Sequence, residues 1–125
     1  MTSSSRRKQA KFWSRVGMLL TKTIALRTPI VVLCWKRTEE EQKILVNRGA
    51  SKTMNSMHLI GLAIDIAFLE DIEDDGVINW KPDKYKELGE YWESLGGRWG
   101  GRFGDDPTTE KIEGWDAGHF EYKEK

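Results

Sequence analysis

Two histidines, His58 and His119, are the whole imidazole complement of the chain, and each has carboxylates close by in sequence. His58 lies in Asn55-Ser56-Met57-His58-Leu59-Ile60-Gly61-Leu62-Ala63-Ile64-Asp65-Ile66, seven residues before Asp65 in a largely apolar stretch. His119 follows Asp116 by three residues and precedes Glu121 by two. Imidazoles and carboxylates together can hold a divalent metal or move protons. A packed, hydrogen-bonded histidine and a turn-capping aspartate fit the same spacing, so residue types alone leave both readings open.

Backbone geometry limits how His58 and Asp65 can meet. On a helix, seven residues return to one face but rise about 10.5 Å, too far for metal bonds of about 2.0–2.2 Å to a single ion. On an ideal strand, an odd separation puts the two side chains on opposite faces. A shared site therefore needs His58 in the turn that enters the strand, or a bulge near Gly61 that resets the alternation. Along residues 59–68, Leu62, Ile64, Ile66 and Phe68 make a core face. Gly61, Ala63, Asp65 and Ala67 make a shallow face suited to a cleft floor. The last segment repeats the pattern, with Phe120 and Tyr122 opposite to His119 and Glu121, so two strands can offer polar side chains to one cleft.

The elements that must position these residues are legible along the chain. Phe12, Val16, Leu19, Leu20 and Ile24 predict an amphipathic helix over about 5–26. After Pro29, Ile30-Val31-Val32-Leu33-Cys34-Trp35 reads as a short buried strand. Thr38-Glu39-Glu40-Glu41 is a capping box opening a helix over 39–48, and Gly49 is its stop. The acidic run 70–76 reads as a solvated turn; it lacks the regular ligand spacing of an EF-hand loop, so a Ca²⁺ role is disfavoured. Pro82 opens a third helix with Tyr85, Leu88, Trp92 and Leu95 on one side, ended by Gly96-Gly97. A loop rich in Gly and Asp precedes the final strand, and its Trp99, Phe103 and Trp115 are either core or groove wall, with core the simpler reading. The sum is an α+β domain, three helices around a small sheet.

At 125 residues the chain is read as a single domain over 1–125 with no separate appended module. Twenty basic residues balance twenty acidic ones, so no global field draws the protein to nucleic acid or an anionic membrane. The single cysteine, Cys34, has no partner for an intramolecular disulfide and reads as a buried inert thiol. The basic N-terminus is followed by too short an apolar run for a signal peptide or a membrane span. Synthesis in the cytoplasm without membrane insertion is the expectation.

The segment Ser56 to Asp65 resembles the S-x-H-x-x-G-x-A-x-D motif of zinc peptidases related to D-Ala-D-Ala carboxypeptidases and bacteriophage L-alanyl-D-glutamate endolysins (peptidase family M15, VanY-like). Asp116-Ala117-Gly118-His119-Phe120-Glu121 resembles their second motif, an acidic residue three positions before a histidine. The resemblance spans about residues 35–121, and two motifs in the right order are far more specific than either alone. It implies a hedgehog/D-Ala-D-Ala peptidase-like fold, a small antiparallel sheet and about three helices around one site for Zn²⁺. His58, Asp65 and His119 are then the zinc ligands and Asp116 the catalytic acid/base. Arg37 matches loosely an arginine placed to stabilise an oxyanion, since the glycine and tyrosine that precede it in relatives are absent; Lys36 and Arg48 are weaker substitutes. Ser56 orients the ligand loop, binds substrate, or caps the turn. Glu121 either holds a ligand imidazole or is an exposed strand residue.

The activity this implies is hydrolysis of an amide in bacterial peptidoglycan stem peptides, first the L-Ala to D-Glu bond, because Asp116 stands where carboxypeptidases often carry glutamate. A monomeric phage endolysin acting at the cell wall or periplasm is expected, reaching it through a separate holin-like membrane partner. The alternatives are a D-Ala-D-Ala carboxypeptidase or dipeptidase, and a non-catalytic zinc-fold module for wall binding or virion assembly.

Overall fold

The computed structural model describes residues 3–49, 56–102 and 116–124. Helix α1 (Ser3–Ala25) turns Phe12, Val16 and Leu19 fully inward. Ile24, which the sequence puts on this stripe, is 76% exposed, and Thr23 is buried in its stead. At about 100° per residue, Ile24 sits roughly 120° from Phe12 and Thr23 only about 20°. The Thr23 hydroxyl donates to the Leu20 carbonyl at 2.6 Å, which satisfies it without water.

Strand β1 (Ile30–Cys34) forms where β-branched residues cluster, but it is not a buried strand. It is the edge of a four-stranded sheet ordered, with later strands named below, β1-β2-β4-β3, and Val32 and Leu33 are exposed. Branched side chains favour extended backbone whether or not both faces are covered. Helix α2 (Glu39–Asn47) begins as the sequence requires: the Glu41 amide donates to the Thr38 hydroxyl and the Thr38 amide to the Glu41 carboxylate, both at 3.1 Å. Gly49 follows it in the left-handed region.

The strand expected over 59–68 divides into two pieces. Met57–Ile60 is a turn of 3₁₀ helix, Gly61 reverses the chain at φ 68°, and β2 runs Ala63–Phe68. Its core face is the expected one: Leu62, Ile64, Ile66 and Phe68 join Phe12, Val16 and Leu19 of α1 in one cluster. Helix α3 (Pro82–Ser94) adds Tyr85, Leu88 and Trp92 to that cluster, with Leu95 packed against it.

The glycine-rich segment contains a strand that sequence periodicity does not reveal, β3 (Arg98–Trp99), paired antiparallel with β4 (His119–Glu121). Two residues are too few to show a period. Trp99 belongs to the core, whereas Phe103 and Trp115 lie outside the described residues. The acidic run is also not wholly a solvated turn. Glu73 to Gly76 are exposed, but Asp71 is buried, accepting from Lys84 Nζ at 2.7 Å and Tyr85 Oη at 2.9 Å.

Candidate metal centre

Pairing of β2 with β4 sets Asp65 directly opposite His119, and pairing with β1 sets Cys34 opposite Asp65. The register of β1 slips between Val32 and Cys34, and that slip gives Cys34 its place across from Asp65. His58 reaches the same point from the 3₁₀ turn, which is the entering-turn geometry. The Ser56 hydroxyl caps this turn by accepting from the His58 amide at 3.2 Å. Gly61 ends it so close to the Trp35 ring and Gln9 that a β-carbon would crowd both.

The expected open floor of small residues is covered. Ala63 and Ala67 are fully buried, and the Asp65 side chain keeps 22% exposure. Polar groups therefore meet at the partly exposed Asp65 carboxylate rather than over a broad shallow surface.

The two imidazoles are held in defined orientations. His58 is buried, and its Nδ1 lies 2.6 Å from the Trp35 carbonyl, which can only accept, so the proton is on Nδ1. Nε2 then presents a lone pair. It lies 3.0 Å from Asp65 Oδ2 but off the direction a hydrogen bond needs, and no other partner satisfies it among the described residues. His119 Nε2 lies 2.8 Å from Glu121 Oε1, and its Nδ1 lies 2.8 Å from Asp65 Oδ1. Glu121 is buried, not an exposed strand residue.

The charges answer one another. Burial alone would lower the pKa of His119, but hydrogen bonds to Asp65 and Glu121 push it up to about 9. Burial opposes ionisation of Asp65 too, yet its hydrogen bond with His119 holds its carboxyl below the usual carboxylate range. Asp116, with 40% of its side chain exposed and an oxygen 4.0 Å from His119 Nδ1, is raised, chiefly by burial.

Arg37 enters the same space. Its backbone amide donates to the His58 carbonyl at 3.0 Å, Nη1 donates to Gln42 Oε1 at 3.0 Å, and Nη2 lies 3.5 Å from Asp65 Oδ2. Arg48 is an exposed residue at the far end of α2. Cys34 departs from the expectation of a buried inert thiol: it is half-buried, 3.7 Å from His58 Nδ1, with a pKa raised by burial and partly drawn back by Arg37.

Sequence reasoning missed the residues that brace this cluster. Gln42 is a polar side chain fully buried on α2, and Gln9 of α1 donates to the Ile60 carbonyl at 3.0 Å. Trp35 donates from its indole to the Gly61 carbonyl at 3.1 Å. Trp92 and Trp99 donate to the Glu121 and Ala117 carbonyls at 2.9 and 2.7 Å, fixing the backbone on both sides of His119. A β-carbon on Gly100 would collide with the Asp116 carbonyl. A lone Gln among charged residues of an amphipathic helix carries no signal of burial, and the tryptophans read equally well as core.

Donor atoms of Cys34, His58 and Asp65 lie within 4.8 Å of one another, as do those of Asp65, Asp116 and His119, so Asp65 links the two groups. This set fits zinc. The buried Nε2 lone pair of His58 faces a carboxylate oxygen, an arrangement that is repulsive unless a cation lies between them. Two imidazoles whose remaining N–H groups are taken up by a carbonyl and a carboxylate, together with an aspartate, match the ligand types and outer partners of a zinc centre.

The family model described as D-alanyl-D-alanine carboxypeptidase, in peptidase family M15, matches residues 49–122. The chain belongs to this family. Two of the donors, His58 and Asp65, lie early in the matched M15 segment and His119 near its end, while Arg37, Gln42 and helix α1 lie before it. An L-alanyl-D-glutamate peptidase of Listeria phage A118 is 40% identical over 68 residues, covering 52% of this chain and 23% of that protein. The match thus spans under a quarter of that relative's length. Among solved structures, the L-Ala D-Glu endopeptidase ChiX of Serratia marcescens aligns with a TM-score of 0.61 at 22% identity, covering 98% of this chain and 89% of that one. A mutant of the vancomycin resistance D,D-pentapeptidase VanY from a VanB-type cassette, in complex with Zn(II), aligns at 0.58 with 19% identity, covering 90% and 70%. Both neighbours share the fold. No helix among the described residues is long and apolar enough to cross a membrane.

Proposed function

We propose that this M15 chain is a zinc peptidase that hydrolyses the L-Ala to D-Glu amide of peptidoglycan stem peptides, acting as a phage endolysin at the bacterial cell wall. The observation that carries it is the pair of imidazoles converging on Asp65, with the opposite nitrogens tied to the Trp35 carbonyl and to Glu121. His58, Asp65 and His119 would hold the ion, which supplies Lewis acidity to the scissile carbonyl and the attacking water when bound.

The chain's own groups divide the remaining work. Asp116, adjacent to His119 and partly open to solvent, takes a proton from the attacking water and returns one to the leaving amine. Its raised pKa suits a group that must hold the proton in mid-reaction. Arg37, steadied by Gln42, offers a fixed cation to the oxygen that gains charge in the tetrahedral species. Glu121 keeps the His119 ring oriented, and Trp35 does the same for His58.

The names of the phage peptidase and of ChiX support the L-Ala to D-Glu bond over the D-Ala-D-Ala bond. Mass spectrometry of defined peptidoglycan after digestion tests the choice. Fragments with a free L-Ala carboxyl and a new D-Glu amine are expected. Released D-Ala with intact L-Ala-D-Glu linkages would overturn it.

A further inference from the structure

A cavity of about 650 Å³ opens beside the metal centre, lined by Lys36, Arg37, Thr38, Glu39, Leu59 and Ile60. It adjoins the site at two places. Arg37 belongs to both, with Nη2 3.5 Å from Asp65, and Leu59 directly follows His58. The Arg37 guanidinium is turned toward Gln42 and Asp65. Lys36, exposed and with no ion pair among the described residues, is the cation left facing the cavity. Leu59 and the 55% exposed Ile60 give it an apolar wall.

Resting on the L-Ala to D-Glu reading, we infer that this cavity is the subsite for the glutamyl residue and that Lys36 binds its free α-carboxylate. The chemistry of a γ-linked glutamate demands such a group. Its onward link runs through the side-chain carboxyl, so the carbon bearing the leaving nitrogen also bears a carboxylate. That anion must lie within a few bonds of the cleaved carbonyl, hence beside Arg37, where the cavity and a lysine stand. Arg37 faces the reacting oxygen while Lys36 faces the carboxylate, which gives the two neighbouring cations separate roles. Glu39, on the same cavity, carries the opposite charge, so the pocket selects an anion placed at Lys36 and does not attract anions along its whole length.

Two synthetic stem peptides test this, one with D-Glu and one with its α-carboxyl amidated to D-isoglutamine, each assayed on the zinc-loaded protein for cleavage. Affinity is measured by calorimetry in the Asp116→Asn background to prevent turnover. The expected result is a preference for the acid of about tenfold or more, the size of one hydrogen bond to a charged group. Lys36→Met should bring that ratio close to one, and Lys36→Arg should restore most of it. An equal ratio in wild type and Lys36→Met, or no preference in wild type, overturns the subsite. Failure to cleave either peptide alongside a Lys36-dependent affinity ratio sinks the scissile-bond assignment and leaves the subsite standing. Cleavage of both without a Lys36-dependent ratio does the reverse.

Discussion

Asp65 within β2 and Asp71 just beyond its end are both largely withdrawn from water, yet their partners differ. Asp71 is fully enclosed, and each of its carboxylate oxygens accepts from a group with a proton to give, the Lys84 ammonium or the Tyr85 hydroxyl. Tyr85 in turn accepts from the Phe68 amide, so the end of β2 is tied to α3 by a closed network. Asp65 faces two imidazoles whose other nitrogens are committed to Trp35 and Glu121, with Arg37 at a longer 3.5 Å. A satisfied carboxylate holds a fold together, whereas one that faces the bare Nε2 of His58 and meets His119 through a proton a metal can replace is built to receive a cation.

Breaking the two carboxylates separately tests this contrast. Asp65→Ala should weaken zinc binding by more than about a hundredfold, since changing even the partners of metal ligands costs about 10–100-fold. Added zinc should no longer raise its melting temperature. A variant that still takes up stoichiometric zinc with near wild-type affinity would remove Asp65 from the centre. Asp116→Asn comes next, with kcat on peptidoglycan expected to fall by about 10²–10⁴-fold while bound zinc, measured by metal analysis, stays stoichiometric. Retained turnover would remove Asp116 from the acid/base role.

The third test sharpens the claim that a proton and the metal compete for His119. With its pKa pushed up to about 9, His119 must lose a proton from Nδ1 before that nitrogen can bind zinc. Lower pH favours the proton, so zinc affinity should weaken by about tenfold per pH unit below that value, with proton release on binding. Competitive chelator titrations at several pH values measure it, and a flat profile would contradict His119 as a ligand that sheds a proton on binding.

The smallest effect belongs to Asp71. Removing its carboxylate leaves the Tyr85 hydroxyl without its acceptor while the Lys84 ammonium keeps Glu70 at 2.6 Å, and Asp71→Ala should lower unfolding stability by about 1–3 kcal/mol in denaturant melts. Zinc should still raise the melting temperature of this variant, from a lower baseline. Loss of the zinc response would mean that the two ends of β2 are not independent.

Local chemistry was readable in the sequence. The Thr38 capping box, the left-handed Gly49 stop, the inward stripe through Phe12, Val16 and Leu19, and the alternation of His119 with Phe120 each depend on neighbours within a few residues. The two motifs, taken as a resemblance, also named the family. What could not be read depended on contacts between distant segments. β1 is recognisable as a strand, but its exposed edge follows from the order of the sheet. Ile24 and Thr23 exchange places because the precise angle of a helix face, rather than its apolar content, decides what is buried. Asp71 looks like one more acid in a solvated run until α3 folds over it.

By itself, then, the sequence determined the three helices and the cores of strands β1, β2 and β4, which residues carry donor atoms, and that His58 must enter from a turn or across a bulge if it is to meet Asp65. Tertiary structure alone decided that His119 lies across from Asp65, that Trp35 and Glu121 take up the outer nitrogens of the two rings, and that Arg37 is steadied by a buried Gln42. Propensity and capping act over a few residues of chain, but a lone pair is aimed by whatever accepts the proton on the other side of the ring, and those acceptors come from wherever the fold brings them.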